Sequence, residues 1–189
     1  MMMTVGAGLL VRSFVNLRQL DIGFDPERLL TVAVEPPADS DAGHLAAYDA
    51  MLERIRALPG VAAAGAVSLR PLAHGPIGHD SGYLLDDQRF DEPDSWKDNT
   101  HLNFEAVTPG YFSAMRVPLR RGRLFAPEDT ADAQAVAIVS ESTARRLWPG
   151  QDAVGKRISV AAARSRSGEF PWQTVVGVVG DVRYRGASI

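Results

Sequence analysis

The residues that most resemble a working site lie in "WPGQDAVGKRI", Trp148 to Ile158. From Gly150 to Lys156 they spell G-x-x-x-x-G-K, the spacing of a loop whose backbone amides and lysine hold nucleotide phosphates. That chemistry needs a strand before the loop and a helix after it, because the helix's free N–H groups and positive end face the anion. Here the order is reversed: helical "SESTARRLW" comes first and β-branched "RISVA" follows Lys156. Position 157 is Arg, where the motif needs a hydroxyl for Mg²⁺. Gly150 and Gly155 are therefore expected to stop a helix and shape a turn before a strand.

Other residues with chemical capacity are more scattered. "HGPIGHD" holds His74, His79 and Asp80, and His101 lies further on. A metal site can be drawn from them, but the histidines lack the i, i+4 spacing of a two-histidine helical site, and solvated loop histidines are expected. "DDQRFDEPD" gathers Asp86, Asp87, Asp91, Glu92 and Asp94 without the central Gly and closing Glu of a calcium loop. "RVPLRRGRLF" brings Arg116, Arg120, Arg121 and Arg123 close together, and a solvated hairpin or an ion-pair surface is expected there. No serine sits in G-x-S-x-G. "GVVGD", Gly177 to Asp181, lacks the spacing of a dinucleotide fingerprint, and its glycines are expected to mark a bulge or turn. No catalytic, cofactor-binding or metal-ligating residue is assigned.

Composition narrows the classes further. The net charge of -3 argues against a nucleic-acid binder, which needs a concentrated positive field. The chain has no cysteine, which removes disulfides, thiolate zinc sites and cysteine nucleophiles and leaves the compartment open. With 189 residues and 46% hydrophobic content, one domain with a sizeable core is expected.

The elements that must position these residues are punctuated clearly. Met1 to Val11 is apolar apart from Thr4, then Arg12 interrupts a run too short to cross a bilayer. Leu10, Phe14, Leu17 and Leu20 continue as one stripe of a helix that ends near Gly23. Two readings stand for this segment: the end of a membrane helix emerging into water, or a short helix packed on a soluble core. Leu30 to Val34 reads as a strand stopped by Pro36-Pro37, residues 41–58 as a helix with apolar Leu45, Tyr48, Leu52, Ile55 and Leu58, and "VAAAGAVSL" as a second strand. Together they make a βαβ-like opening.

Residues 71–103, rich in Gly, Pro, Asp and His, read as an insert or small lobe with a strand-like island at Gly82 to Leu85. Phe104 to Thr108 is expected to be a strand, Pro109 to Met115 a short helix, and Ala135 to Val139 a strand. Ser140 is expected to cap the next helix, which ends at Pro149-Gly150. "VGKRISVA" and "WQTVVGVVGDVRY" complete the strands. The class is α+β: a mixed sheet with a few short helices packed on it and an irregular inserted lobe.

The ordered series "GAGLLVRSF", "DIGFDPERLL", "LPGVAAAGAVSLRPL", "VTPGYFSAM", "PLRRGRLF", "AVAIVSESTARRLWPGQDAVGKRI" and "TVVGVVGDVRYRG" resembles the extracytoplasmic core domain of MacB/FtsX-type ABC transporter permeases. The resemblance extends from about Gly6 to Gly186 and is weakest in residues 71–103. It implies that residues 1–23 are the outer end of a transmembrane or stalk helix. Residues 24–189 would form the core domain, with a porter-like βαβ portion. It implies no catalysis or cofactor here, a cytoplasmic ABC ATPase and a second permease half as partners, and an inner-membrane location with this domain outside. It further implies mechanotransmission, the coupling of membrane-helix movement to opening and closing of the extracytoplasmic side.

On that reading Leu10, Phe14 and Leu17 carry motion, while Gly150 and Gly155 are structural. Family domains continue past "GDVRYRG", so truncation near Ile189 is expected. Arg12 and Arg18 alone would favour a cytoplasmic placement of this end. The alternative from another class is a soluble enzyme, nucleotide-dependent through Lys156 or metal-dependent through His74 and His79.

Overall fold

The architecture is organised by "WQTVVGVV", the most β-prone run in the chain. In the computed structural model, which describes residues 12, 21–35, 41–72, 79–86, 88, 99, 102–130, 132–161 and 171–183, this run is strand β7, Trp172–Val179. The strands before it in chain order are β1 His79–Ser81, β2 Tyr83–Leu85, β3 Leu102–Phe104, β4 Leu119–Gly122, β5 Val136–Ser140 and β6 Arg157–Val160. The helices are α1 Asp41–Arg56, α2 Tyr111–Ala114 and α3 Glu141–Leu147.

Strand β7 belongs to three ladders. It runs parallel to β5 from Thr174 to Val179, antiparallel to β6 from Trp172 to Thr174, and antiparallel to β4 from Gly177 to Val179. A strand has two edges, and β5 occupies one of them over the whole overlap. β6 and β4 must therefore share the other edge, end to end. The β5 register skips Val176, pairing Ala137 with Val175 and Ile138 with Gly177, so β7 bulges where its second edge passes from β6 to β4. At the bulge the Val176 carbonyl accepts from the Arg123 N–H at 2.9 Å. A side chain at Gly177 would stand 2.2 Å from the Arg123 carbonyl oxygen, which explains the glycine.

Beyond β6, β2 adds the fifth strand, so part of residues 71–103 belongs to the main sheet. β1 and β3 form a separate antiparallel pair. Helix α3 follows β5 directly, and β5, α3 and β7 make a parallel βαβ unit with β6 inserted. Ser140 caps α3 as expected: its hydroxyl accepts from the Thr143 N–H at 3.3 Å.

Two apolar clusters fill the interior. Leu147 and Trp148 from α3 and its cap join Val139, Ile158, Val160, Val175 and Tyr83 in the first. Tyr111, Met115, Val117 and Val179 form the second, with Phe24, Leu29, Val67 and Phe112 packed around it. The Tyr111 and Phe112 rings meet edge to face at 5.2 Å.

Several expected elements form differently. Leu30 to Val34 joins no ladder among the described residues, and Leu30 and Val32 are 86% and 71% exposed. The stretch expected to be a second strand, from Val61, makes one isolated bridge, Val67 to Val107. The βαβ unit therefore lies in the second half of the chain, because β-branched sequence makes a strand only where a partner edge is present. The strand expected at Phe104 to Thr108 forms earlier, at Leu102–Phe104. Pro109 falls outside α2, since Gly110 takes a left-handed φ of 99° as the cap. That glycine is required: a Cβ there would lie 2.7 Å from the Ala64 carbonyl oxygen.

Candidate functional site

The turn at Gly150 to Lys156 has the polarity expected of a helix end leading into a strand. Gly150 and Gly155 have φ of 72° and 87°, both left-handed. The Gly155 N–H donates to the Val175 carbonyl at 2.8 Å, the Lys156 N–H to Ala153 at 3.1 Å, and Val175 returns a bond to the Lys156 carbonyl at 2.9 Å. These amides are committed to the fold, and no helix starts after Lys156. Its ammonium donates to Gln151 Oε1 at 2.6 Å. Arg157 pairs with Asp86 and stacks 5.4 Å from the Trp172 ring centroid. The nucleotide-dependent alternative therefore lacks its anion cradle.

His79 opens β1, paired with Phe104; His74 and His101 lie outside the described residues, as do Leu10, Phe14 and Leu17. Among the described residues, no three His, Asp or Glu side chains are grouped to hold a metal ion. The four clustered arginines face carboxylates of the same chain. Arg116 pairs with Asp25, Arg120 with Glu141 at 3.2 Å, Arg121 with Asp152 at 3.8 Å, and Arg123 with Asp129 at 2.6 Å. Arg123 grips Asp129 through both carboxylate oxygens, and the Ala126 N–H adds a third bond. Together they hold the Asp129 carboxyl down from 3.8 to about 2.

Two of these pairs belong to a larger junction that the sequence reading did not identify. Residues Asp21 to Asp25, "DIGFD", lie where the expected N-terminal helix gives way to the core. Gly23, at φ 81°, approaches Asp181 so closely that a Cβ would lie 1.8 Å from its carbonyl oxygen. Arg183 donates its backbone N–H to the Ile22 carbonyl at 3.0 Å and its Nε to the Asp21 carbonyl at 2.9 Å. The Asp25 N–H donates to Met115 at 3.2 Å.

From Asp181 the contacts continue into α3. Its Oδ1 accepts from the Ser142 N–H at 2.8 Å, and Arg145 lies 3.5 Å from its other oxygen. Partial burial works against ionisation of Asp181. Hydrogen bonds from Ser142 and Ser140 and the charge of Arg145 outweigh it and hold the carboxyl below its usual range. Glu141 closes the circuit by pairing with Arg120 of β4 and with Arg145. Residues 21–25 are thus fastened to the end of α2 and the end of β7, and Asp181 carries the connection to α3. The only sequence signal was the glycine in "DIGFD", read as a helix stop; its partners lie more than 150 residues away.

The second feature is a cavity of 680 Å³ between the β5–β7 sheet and the chain from Leu102 to Phe112. Phe104, Val107, Phe112, Phe125 and Val160 contribute apolar walls. Glu105 and Gln173 are among the residues bordering it, and the Oε1 atom of each is buried in the surrounding protein without a hydrogen-bond partner.

Against known proteins, the model of the MacB-like periplasmic core domain matches residues 1–188, and the chain belongs to that family. It is a non-catalytic, extracytoplasmic domain of the kind found in MacB-like ABC transporter permeases. Among solved structures, the periplasmic region of MacB from Actinobacillus actinomycetemcomitans is similar at 17% identity and a TM-score of 0.44, over 72% of this chain and 55% of that one. The extracellular domain of the ABC-type transporter YknZ from Gram-positive bacteria is similar at 16% identity and a TM-score of 0.44, over 72% of this chain and 62% of that one. The chain thus spans less than two thirds of either. No curated protein matches the sequence. Among the described residues, no helix is long and apolar enough to cross a membrane.

Proposed function

We propose that this domain couples movement of membrane helices to opening and closing of the periplasmic side of an inner-membrane ABC permease. Residues 21–25 are the point where that movement enters the domain. The supporting observation is the junction itself: a glycine seated on the Asp181 backbone, bonds donated by Arg183 and Arg116, and one donated by the Asp25 N–H to the Met115 carbonyl join the segment to separate parts of the core. A segment held this way moves with the body it is fastened to. In this reading the N-terminal helix carries Leu10, Phe14 and Leu17 on its stripe and anchors the domain to the membrane. A cytoplasmic ABC ATPase supplies the energy and a second permease half supplies the opposing domain.

The test uses the full-length permease with its ATPase, reconstituted in membranes. This chain has no cysteine of its own, so a single labelling site is introduced into it after any cysteines elsewhere in the assembly are replaced. Distances between the paired periplasmic domains are measured by spin labels with and without ATP. Gly23→Val, which cannot seat on Asp181, is expected to abolish the ATP-dependent distance change while ATP hydrolysis persists. Leu10→Asp and Phe14→Asp are expected to do the same, with the core still folded by circular dichroism. An unchanged ATP response in all three variants would overturn the proposal.

A further inference from the structure

The two apolar clusters do not close on each other. Between them lies the 680 Å³ cavity, bordered by Phe104 and Val160 on the side of the first and by Val107, Phe112, Ile138 and Val182 on the side of the second. Protein interiors are packed about as densely as organic crystals and leave few gaps larger than a water molecule. A space of this size between apolar walls instead matches the sites that hold small molecules. Phe112 and Phe125 give it an aromatic wall, with ring centroids 6.2 Å apart and planes tilted by 36°.

Its charge chemistry is already committed to the fold. Among the described residues, the charged side chains on its border are Glu105, Asp129 and Arg146. Arg123 grips Asp129 through both carboxylate oxygens, and Arg146 has interactions within the fold. Glu105 Oε2 accepts from the Ser68 hydroxyl at 2.5 Å and from the Leu69 N–H at 3.0 Å, while its Oε1 is buried away from the space. Gln134 Nε2 donates to the Thr174 hydroxyl at 2.8 Å. An ion entering here would shed its water without gaining a free counter-charge, a cost that a neutral apolar body does not meet.

The cavity also touches the junction. Ser140 and Ser142, which hydrogen-bond Asp181, border it, as do Gly180 and Val182 on either side of Asp181. Phe24, next to Gly23, packs against the second cluster, as Phe112 and Val182 do. Filling the space therefore braces the residues onto which residues 21–25 are fastened.

We infer that this cavity binds a small neutral compound with an aromatic body, and that its occupancy steadies the seat of residues 21–25. The link is reciprocal, since whatever the ligand adds to the seat the seat returns to the ligand. Its consequence for transport rests on the coupling reading above; the binding itself does not.

The experiment titrates the 189-residue chain with 2-(2-naphthyl)ethanol, 2-naphthylacetate and 2-(2-naphthyl)ethylammonium, which share one ring system and differ in charge. Calorimetry gives affinity and methyl NMR gives location. The alcohol is expected to saturate below about 1 mM, about fivefold or more tighter than either ion, with shifts at Val107, Ile138 and Val182. Phe125→Ala, with its thermal midpoint checked first, is expected to weaken the alcohol about fivefold. Val32→Asp and Leu45→Asp, on apolar residues exposed away from the cavity, are expected to leave it unchanged. On the unaltered chain, saturation is expected to slow amide exchange about threefold at Asp25 and Arg183, whose N–H groups fasten the segment, and not at Ala57 after α1. The site is overturned by equal binding of the three probes, by tighter binding of an ion, by shifts outside the cavity, by loss of binding in Val32→Asp or Leu45→Asp, or by no saturation up to about 3 mM. Unchanged exchange at Asp25 and Arg183 overturns the link. None of these readings needs the ATPase, so a permease whose ATP response survives Gly23→Val would strike the coupling reading alone.

Discussion

"LLTVAV", Leu29 to Val34, and "QTVVGVV", Gln173 to Val179, carry the same kind of residues and end in different states. The second forms nearly all of β7, shared by three ladders, with Val175 fully buried. The first stays out of every ladder among the described residues. Its Leu30 and Val32 face solvent, and a bond from the Tyr48 hydroxyl to the Val34 carbonyl at 3.0 Å ties its end to α1. Both runs are rich in β-prone residues, so most of the difference lies in what stands beside them. β-propensity measures fit to a neighbour, and only the second run has neighbours on both edges.

The contrast breaks most easily at its centre. Val175→Asp places a carboxylate where exposure is 0% and is expected to cost about 4 kcal/mol or more, whereas Val32→Asp should stay within about 0.5 kcal/mol. Urea unfolding measures both, and equal effects would mean that the two runs are not energetically distinct.

Glycines give a finer comparison. Gly177→Ala must displace backbone, because its Cβ would lie 2.2 Å from the Arg123 carbonyl oxygen, and about 3 kcal/mol is expected. Gly60, just after α1, has open space around it but a φ of 86°, so Gly60→Ala should cost only the left-handed strain of about 1 kcal/mol. Thermal denaturation of the two variants tests the order.

The smallest effect concerns the loop between β4 and β5. Asp129 has a folded-state value of about 2, below its usual 3.8, so its contribution is complete at neutral pH and is lost as pH falls from about 4 through about 2. Arg123 is half exposed, so that contribution is held to about 1 kcal/mol. Asp129→Asn should remove this part of the acid slope in stability measured against pH.

Local signals were legible where the chain needed no distant partner. Ser140 as a cap and the Gly150 turn follow from residue order alone, whereas the strands at Val136, Arg157 and Trp172 are suggested by residue type and form because partner edges are present. The polarity of the turn was enough to set aside a phosphate loop at Lys156. The expected helix at residues 41–58 forms as α1, but its stripe is only partly used. Leu52 is 3% exposed, while Leu45 and Leu58 are 60% and 57% exposed.

The junction was illegible because each contact joins residues far apart: Asp25 with Arg116, Asp21 with Arg183, Gly23 with Asp181. Glu105 and Gln173 carried no signal for the same reason, since a polar residue in a strand-like run is ordinarily solvent-facing. Only the fold shows that the two residues border one cavity and that the Oε1 atom of each is buried.

Because β7 belongs to every ladder of the five-stranded sheet except the one between β2 and β6, its loss would release β4, β5 and the β6–β2 pair together. Such a sheet yields as one unit and has little capacity to absorb a small displacement by peeling at an edge. The chain leaving β7 reaches Asp181 and Arg183 within four residues of Val179, and these are the residues that grip the segment around Gly23. Tension on that segment is therefore borne by the least compliant strand in the domain.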